Sequence, residues 1–254
     1  MTLELFNATV KAGGAVLLDS VSLTEKPRSL TALLGPNGAG KSTALAALAG
    51  DARLASGEAA LDGVPIRTLP RMALARRRAV VAQHAPLSFP LFVHEVVGLA
   101  QSAVGGSACA DMTAQALAEA GVLHLAARDY TTLSGGERQR VQIARAFGQL
   151  EAAAKENGER YLLLDEPTAH LDLKHQVEAL NAVRGLAKRG VGVLCILHDP
   201  NLALDYADEA FLIKNGRAFL EGPPEAVLTP SNVGALYDLP PRPQLRAAWS
   251  GITS

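Results

Sequence analysis

Apolar positions come first in short runs of strand type, LELF, AVLLDSVSL and SLTALL within residues 3–34, separated by Gly-Gly and Lys-Pro. Runs bounded by such breakers predict an antiparallel edge region that feeds a core strand. A glycine-rich loop follows, then KSTALAALAG, whose spacing predicts a helix stopped by Gly50. Two further strands are expected in GEAALDG and RRRAVVAQ, within residues 57–82. From about 86 to 148 helical periods dominate, broken by QSAVGGSACADM, which reads as a helical insert. The continuous apolar runs YLLLDE and VGVLCILHD bracket a helix near 173–189, and this βαβ alternation implies a buried parallel sheet in an α/β fold. The polar stretch EAAAKENGER reads as an exposed excursion. From Asp238 the chain becomes proline-rich, DLPPRPQLRAAWSGITS, so the expected division is a folded unit over 1–237 and a partly ordered tail over 238–254.

Composition narrows the function classes. A chain of 254 residues, 48% of them apolar, can bury a full core and reads as soluble and globular. A formal net charge of -1 supplies no general pull toward nucleic acid or anionic lipid, so nucleic-acid binding is disfavoured. No apolar run approaches the roughly eighteen residues of a membrane span, and MTLELFNATVKAGG lacks a basic-then-apolar leader; the chain is expected to stay in the cytoplasm. Cys109 and Cys195 sit in unlike settings, one Gly/Ser-rich and one inside VGVLCIL. They predict neither a disulfide nor a metal framework, and Cys195 is expected in the core.

Three segments carry chemistry. GPNGAGKST, comprising Gly35, Pro36, Asn37, Gly38, Ala39, Gly40, Lys41, Ser42 and Thr43, matches G-x-x-x-x-G-K-[ST] between an apolar strand and a helix. The glycines let backbone N–H groups turn inward around phosphate oxygens, Lys41 can reach the β- and γ-phosphates, and Ser42 can ligate Mg²⁺. A bound nucleoside triphosphate is the reading. In LLLDEP a strand ends in two carboxylates. Asp165 is placed to hold Mg²⁺ through its water shell, and Glu166, leaving the strand in another direction, can address an attacking water. The third segment, LSGGERQR, combines a hydroxyl, two glycines and an apolar-periodic continuation, VQIARAF, the composition of a second anion-binding helix start.

The order GPNGAGKST, Gln83 in VVAQH, LSGGERQR, LLLDEP, TAHLD and the histidine of ILHDP resembles the nucleotide-binding subunits of ABC transporters over residues 3 to about 230. The resemblance implies a P-loop NTPase of ABC type: a RecA-like parallel-sheet core, an antiparallel β subdomain and a helical signature subdomain. It implies that Gln83 touches Mg²⁺ and the water, that Ser134, Gly135, Gly136 and Glu137 contact ATP, that Asp172 crosses a dimer interface and that His198 contacts the γ-phosphate. On residue type alone, His198 is as readily a polar strand terminator and Gln83 a surface amide. Because the insert would hold LSGGERQR away from its own P-loop, the signature is expected to serve the ATP of a second copy in a head-to-tail homodimer.

Two departures accompany the resemblance. Ala12 stands before the first Gly-Gly, where the family places an aromatic residue that stacks on adenine; nucleotide affinity then rests more on the phosphates. The fifth signature position is Glu137, followed by Arg138 and Gln139, a variant within the family's range.

Within the family, ALAGDARLASGEAALDGVPI, RRRAVVAQHAPLSFPLFVHEVV, ARDYTTLSGGERQR and LLLDEPTAHLDLKHQ look most like the hemin-importing members of the group that takes up iron chelates, haem and cobalamin. The implied partners are two transmembrane permease subunits and, indirectly, a periplasmic haem-binding protein. The implied place is the cytoplasmic face of the inner membrane. Cargo would pass through the permease, so His84, His94, His124, His170 and His175 are expected at the surface and not as haem ligands. Leu87, Phe89 and Phe92 are either a dock for a permease helix or core of the insert. Ferric-siderophore or cobalamin import is the nearest alternative. A soluble ATPase acting on nucleic acid or ribosomes is disfavoured by the near-neutral charge and the single cassette, and an exporter by the lack of fused membrane spans.

Overall fold

A computed structural model describes residues 1–83, 90–106, 108–154, 158–169 and 171–240. In chain order it contains β1 (Leu3–Ala12), β2 (Ala15–Glu25), β3 (Leu30–Leu34), α1 (Lys41–Ala49), β4 (Ser56–Leu61), β5 (Val64–Pro65), α2 (Arg71–Arg77) and β6 (Arg78–Val81). The helical insert holds α3 (Val93–Ala103), α4 (Ala110–Glu119) and α5 (Gly135–Ala152). There follow β7 (Tyr161–Leu164), α6 (Leu173–Lys188), β8 (Gly192–Ile196), α7 (Pro200–Tyr206), β9 (Glu209–Lys214), β10 (Arg217–Gly222), α8 (Pro224–Val227) and α9 (Pro230–Leu236).

Two sheets divide the strands. The antiparallel one has the order β2-β1-β4-β5; the other runs β10-β9-β3-β8-β7-β6, parallel except for β10. This is the expected edge region beside a parallel core, joined as β2 passes into β3. Alternation along the buried strands gives each face of the parallel sheet its own core. Leu162, Leu164, Val193 and Cys195 face the insert, α6 and α7. Leu163, Leu194 and Ile196 face α1, whose Ala44, Leu45 and Leu48 also meet Leu3, Leu5 and Val21 of the antiparallel sheet. Helix α1, and with it the phosphate loop, is therefore clamped between two sheets. Cys195 is fully buried, and burial pushes its thiol well above the ordinary range.

The sequence reading needs adjustment at several borders. RRRAVVAQ starts its strand only at Arg78, because Arg71–Arg77 forms α2, with Pro70 as its N-cap. Helix α5 runs on to Ala152, so the first two residues of EAAAKENGER are helical, while 155–157 lie outside the described residues. Of the proline-rich tail, 241–254 lies outside them as well, as do His84, Leu87, Phe89 and His170.

Candidate functional site

Strand order explains the site. Adjacent parallel strands end side by side, so β6, β7 and β8 deliver Gln83, Asp165 with Glu166, and His198 to one edge, with the loop after β3 next in line. The loop's path requires glycine at two points. A Cβ on Gly35 (φ +156°) would lie 2.1 Å from the Ile213 carbonyl oxygen, and one on Gly40 (φ +103°) 2.7 Å from that of Leu17. Packing of β9 and β2 against the loop thus shapes the cradle.

Lys41 is 5% exposed, and its Nζ donates to the carbonyls of Gly35 (2.8 Å) and Pro36 (2.9 Å). Burial lowers its pKa, with Glu166 and Asp165 acting in the opposite sense. Ser42 Oγ donates to Asp165 Oδ1 at 3.2 Å. Burial raises the Asp165 carboxyl, partly offset by that hydroxyl. A hydroxyl and a carboxylate in contact at a phosphate loop are hard oxygen donors, the set that Mg²⁺ takes when phosphates complete its shell. Leu17, Asn37, Gly38, Gly40, Lys41, Ser42, Thr43 and Glu166 line a cavity of about 230 Å³ above the loop.

Glu166 is held most tightly. Its Oε2 accepts from Gln83 Nε2 at 2.8 Å and its Oε1 lies 2.7 Å from His198 Nε2. Its backbone has φ +52°, a left-handed conformation costing a non-glycine residue about 1–3 kcal/mol and persisting only where its surroundings enforce it. Gln83 and His198 are both exposed, and both are partners of this carboxylate.

The signature residues stand apart. Ser134 caps α5: its Oγ accepts from Glu137 N (3.3 Å) while Glu137 Oε2 accepts from Ser134 N (2.8 Å). These bonds hold Glu137 below the usual carboxylate range, with Arg128 3.6 Å away. Among the described residues no hydrogen bond joins Ser134, Gly135, Gly136 or Glu137 to the Lys41–Glu166 cluster, and none uses the amides of Gly135 and Gly136. Asp172 likewise caps α6, accepting from His175 N at 2.9 Å, a bond that lowers its pKa.

Ala12, at the end of β1, is exposed, and among the described residues no aromatic side chain lines the cavity. Leu17 does line it, an aliphatic residue of a strand that carries no local signal of such a place. A second, largely apolar cavity of about 590 Å³ lies between α3 and α4, bordered by Leu91, His94, Leu99, Cys109, Leu117 and Leu123. Leu99 is 56% exposed and nearby Phe92 49%, so Phe92 is not core of the insert.

Residues 18–169 match the ABC transporter family. The hemin import ATP-binding protein HmuV of Bordetella pertussis is 46% identical over 243 residues, covering 94% of this chain and 93% of that protein. HmuV of Hahella chejuensis is 46% identical over 241 residues, covering 94% of each. Among solved structures, the dimeric structure of MJ0796, a bacterial ABC transporter cassette, aligns with a TM-score of 0.74 at 26% identity, covering 87% of this chain and 98% of that one.

Proposed function

We propose that this chain, which belongs to the ABC transporter family, is the ATP-hydrolysing subunit of a binding-protein-dependent importer whose cargo is hemin. The clasp on Glu166 supports the chemistry. A carboxylate anchored by Gln83 and His198 at the rim of a phosphate loop is held ready to orient and deprotonate a water in line with the γ-phosphate. Lys41 exchanges the Gly35 and Pro36 carbonyls for β- and γ-phosphate oxygens, and the loop amides take up the rest of the charge. His198 steadies the transferred phosphoryl group. Ser42, Asp165 and Gln83 would hold Mg²⁺, which would offset the charge of the phosphates.

The unused amides of Gly135 and Gly136 support a second composite site: they would serve the γ-phosphate bound to another copy, head to tail, with Asp172 at the interface. MJ0796, a cassette of 26% identity, is a dimer in its solved structure. ATP then favours the closed pair and hydrolysis reopens it, which drives two permease subunits between conformations. The apolar cavity between α3 and α4 is suited to a short permease helix, with Leu99, Leu123 and Phe92 as exposed anchors. Among the described residues no helix is long and apolar enough to cross a membrane, in keeping with a peripheral subunit held at the inner face by that permease. We assign residues 1–237 to the ATP-binding unit and 238–254 to an appended tail.

Hemin as cargo is supported by two HmuV relatives at 46% identity. The test is ATPase activity of the reconstituted complex with each loaded binding protein in turn. Stimulation by the hemin-loaded protein, abolished by Glu166→Gln, is expected. Stimulation by a ferric-siderophore- or cobalamin-loaded protein alone would overturn the cargo.

A further inference from the structure

Helix α5 covers the open edge of the parallel sheet, and it does so with polar side chains. Strand β6 is the edge strand, bonded to β7 on one side only. On the other side Gln149 Nε2 donates to the carbonyls of Ala75 (2.8 Å) and Arg78 (3.1 Å), and Arg145 Nη2 donates to that of Val80 (2.9 Å). Covering an edge in this way meets a general need of sheets. Its continuation does not follow from that need. Arg145 Nε donates to Gln142 Oε1 at 2.7 Å, and Gln142 Nε2 donates to the Tyr130 hydroxyl at 2.7 Å. Gln142 is 4% exposed and Tyr130 3%, so the chain of bonds runs through the interior, where a broken link leaves a polar group without water to replace it.

The two ends of this chain are chemically distinct. Tyr130 opens the 3₁₀ turn Tyr130–Thr132 that leads directly to Ser134, the cap of the signature helix. Val80 lies on β6, which ends at Val81, two residues before Gln83, whose amide holds Glu166. In the homodimer proposed above, the first end faces the ATP of the partner and the second faces the ATP of its own chain.

We propose that Tyr130, Gln142 and Arg145 are positioning residues forming a buried relay that couples the two ATP sites of the dimer. Engagement of the signature by one nucleotide is transmitted through the relay to β6 and sets Gln83, and with it Glu166, at the other. The inference rests on the dimer reading, and the experiment separates the two.

Tyr130→Phe deletes only the terminal hydroxyl, and Gln142→Leu removes the central amide while keeping its bulk. ATPase rate is measured against ATP concentration, well below the thermal transition and normalised to folded protein. Dimerisation with ATP is followed by light scattering in the Glu166→Gln background. For both variants the Hill coefficient is expected to fall from about 2 toward about 1. Their kcat is expected to drop about tenfold, with ATP affinity of the monomer unchanged. Arg145→Lys keeps the charge but loses the two-pronged geometry, and behaves the same way. A merely structural role predicts lower thermal stability with wild-type Hill coefficient and kcat per folded molecule, and that result would overturn the relay. So would a wild-type Hill coefficient of about 1 in a protein that dimerises. Absence of ATP-dependent dimers in Glu166→Gln would overturn the dimer reading itself and the relay with it.

Discussion

Glu25 offers a sharp test of how the two sheets are joined. It ends β2, points with Val21 and Leu23 into the core, and is fully buried. Its carboxyl oxygens make no hydrogen bond of good geometry, and the Thr31 hydroxyl and the backbone of Val193 and Lys26 are the polar groups beside it. Burial pushes its pKa well above the ordinary carboxylate value; Thr31 and the Val193 backbone oppose this, and the nearby negative charge of Asp208 adds to it. The native chain therefore keeps this proton over a range in which the unfolded chain, titrating near 4.5, has released it. When the native state binds more protons, stability falls as pH rises. The stability associated with Glu25 is complete below about pH 4.5 and is lost as pH climbs toward the raised native value. One such proton contributes a slope of at most about 1.4 kcal/mol per pH unit, in force from about pH 4.5 up to the raised native value. Urea unfolding of wild type and Glu25→Gln at intervals across that range measures it. The amide does not ionise, so the variant should lose this component of the slope while carrying a pH-independent cost for burying a polar amide. Glu25→Met, apolar and of similar volume, should match or exceed wild-type stability at pH 7.5. Parallel pH profiles for wild type and Glu25→Gln would refute the reasoning, because they would mean that Glu25 binds the same number of protons folded and unfolded.

Three further outcomes are expected. Gly35→Ala must move the loop away from the Ile213 carbonyl, which would be 2.1 Å from the new methyl; it should lose ATP binding by calorimetry and about 1–3 kcal/mol of stability. Ser134→Ala and Lys41→Ala, each inactive alone, should recover ATPase activity when mixed, because one composite site of the mixed dimer is then complete; no recovery would count against shared sites. Among the described residues Leu17 is the one apolar side chain lining the cavity, so Ala12→Tyr should strengthen ATP binding by about fivefold or more through base stacking, and wild type should hydrolyse GTP within about tenfold of ATP.

Much of the site was legible in the sequence because its determinants are local. GPNGAGKST between a strand and a helix, and two carboxylates at a strand end, specify their backbone paths through glycine freedom and strand termination. The βαβ alternation likewise implied a parallel sheet before any contact was known. Helix α2 was missed because RMALARR is short and shows no buried face: none of its residues is buried. Arg145 and Gln142 were read simply as part of a helical stretch, since nothing in VQIARAF tells which polar side chain will turn inward.

By itself, then, the chain determined which chemical groups were present, in what order, and on which kinds of element, since hydrophobic period and backbone freedom act over a few residues. Tertiary structure decided which groups meet. The strand order β3-β8-β7-β6 carries Gln83 and His198 to Glu166, whose backbone is left-handed. The same packing of one sheet on another buries Glu25 beside Thr31, and among the described residues the amides of Gly135 and Gly136 make no hydrogen bond. Such pairings depend on loop closures over long stretches of chain and on the summed burial of both sheets, quantities that no local pattern contains.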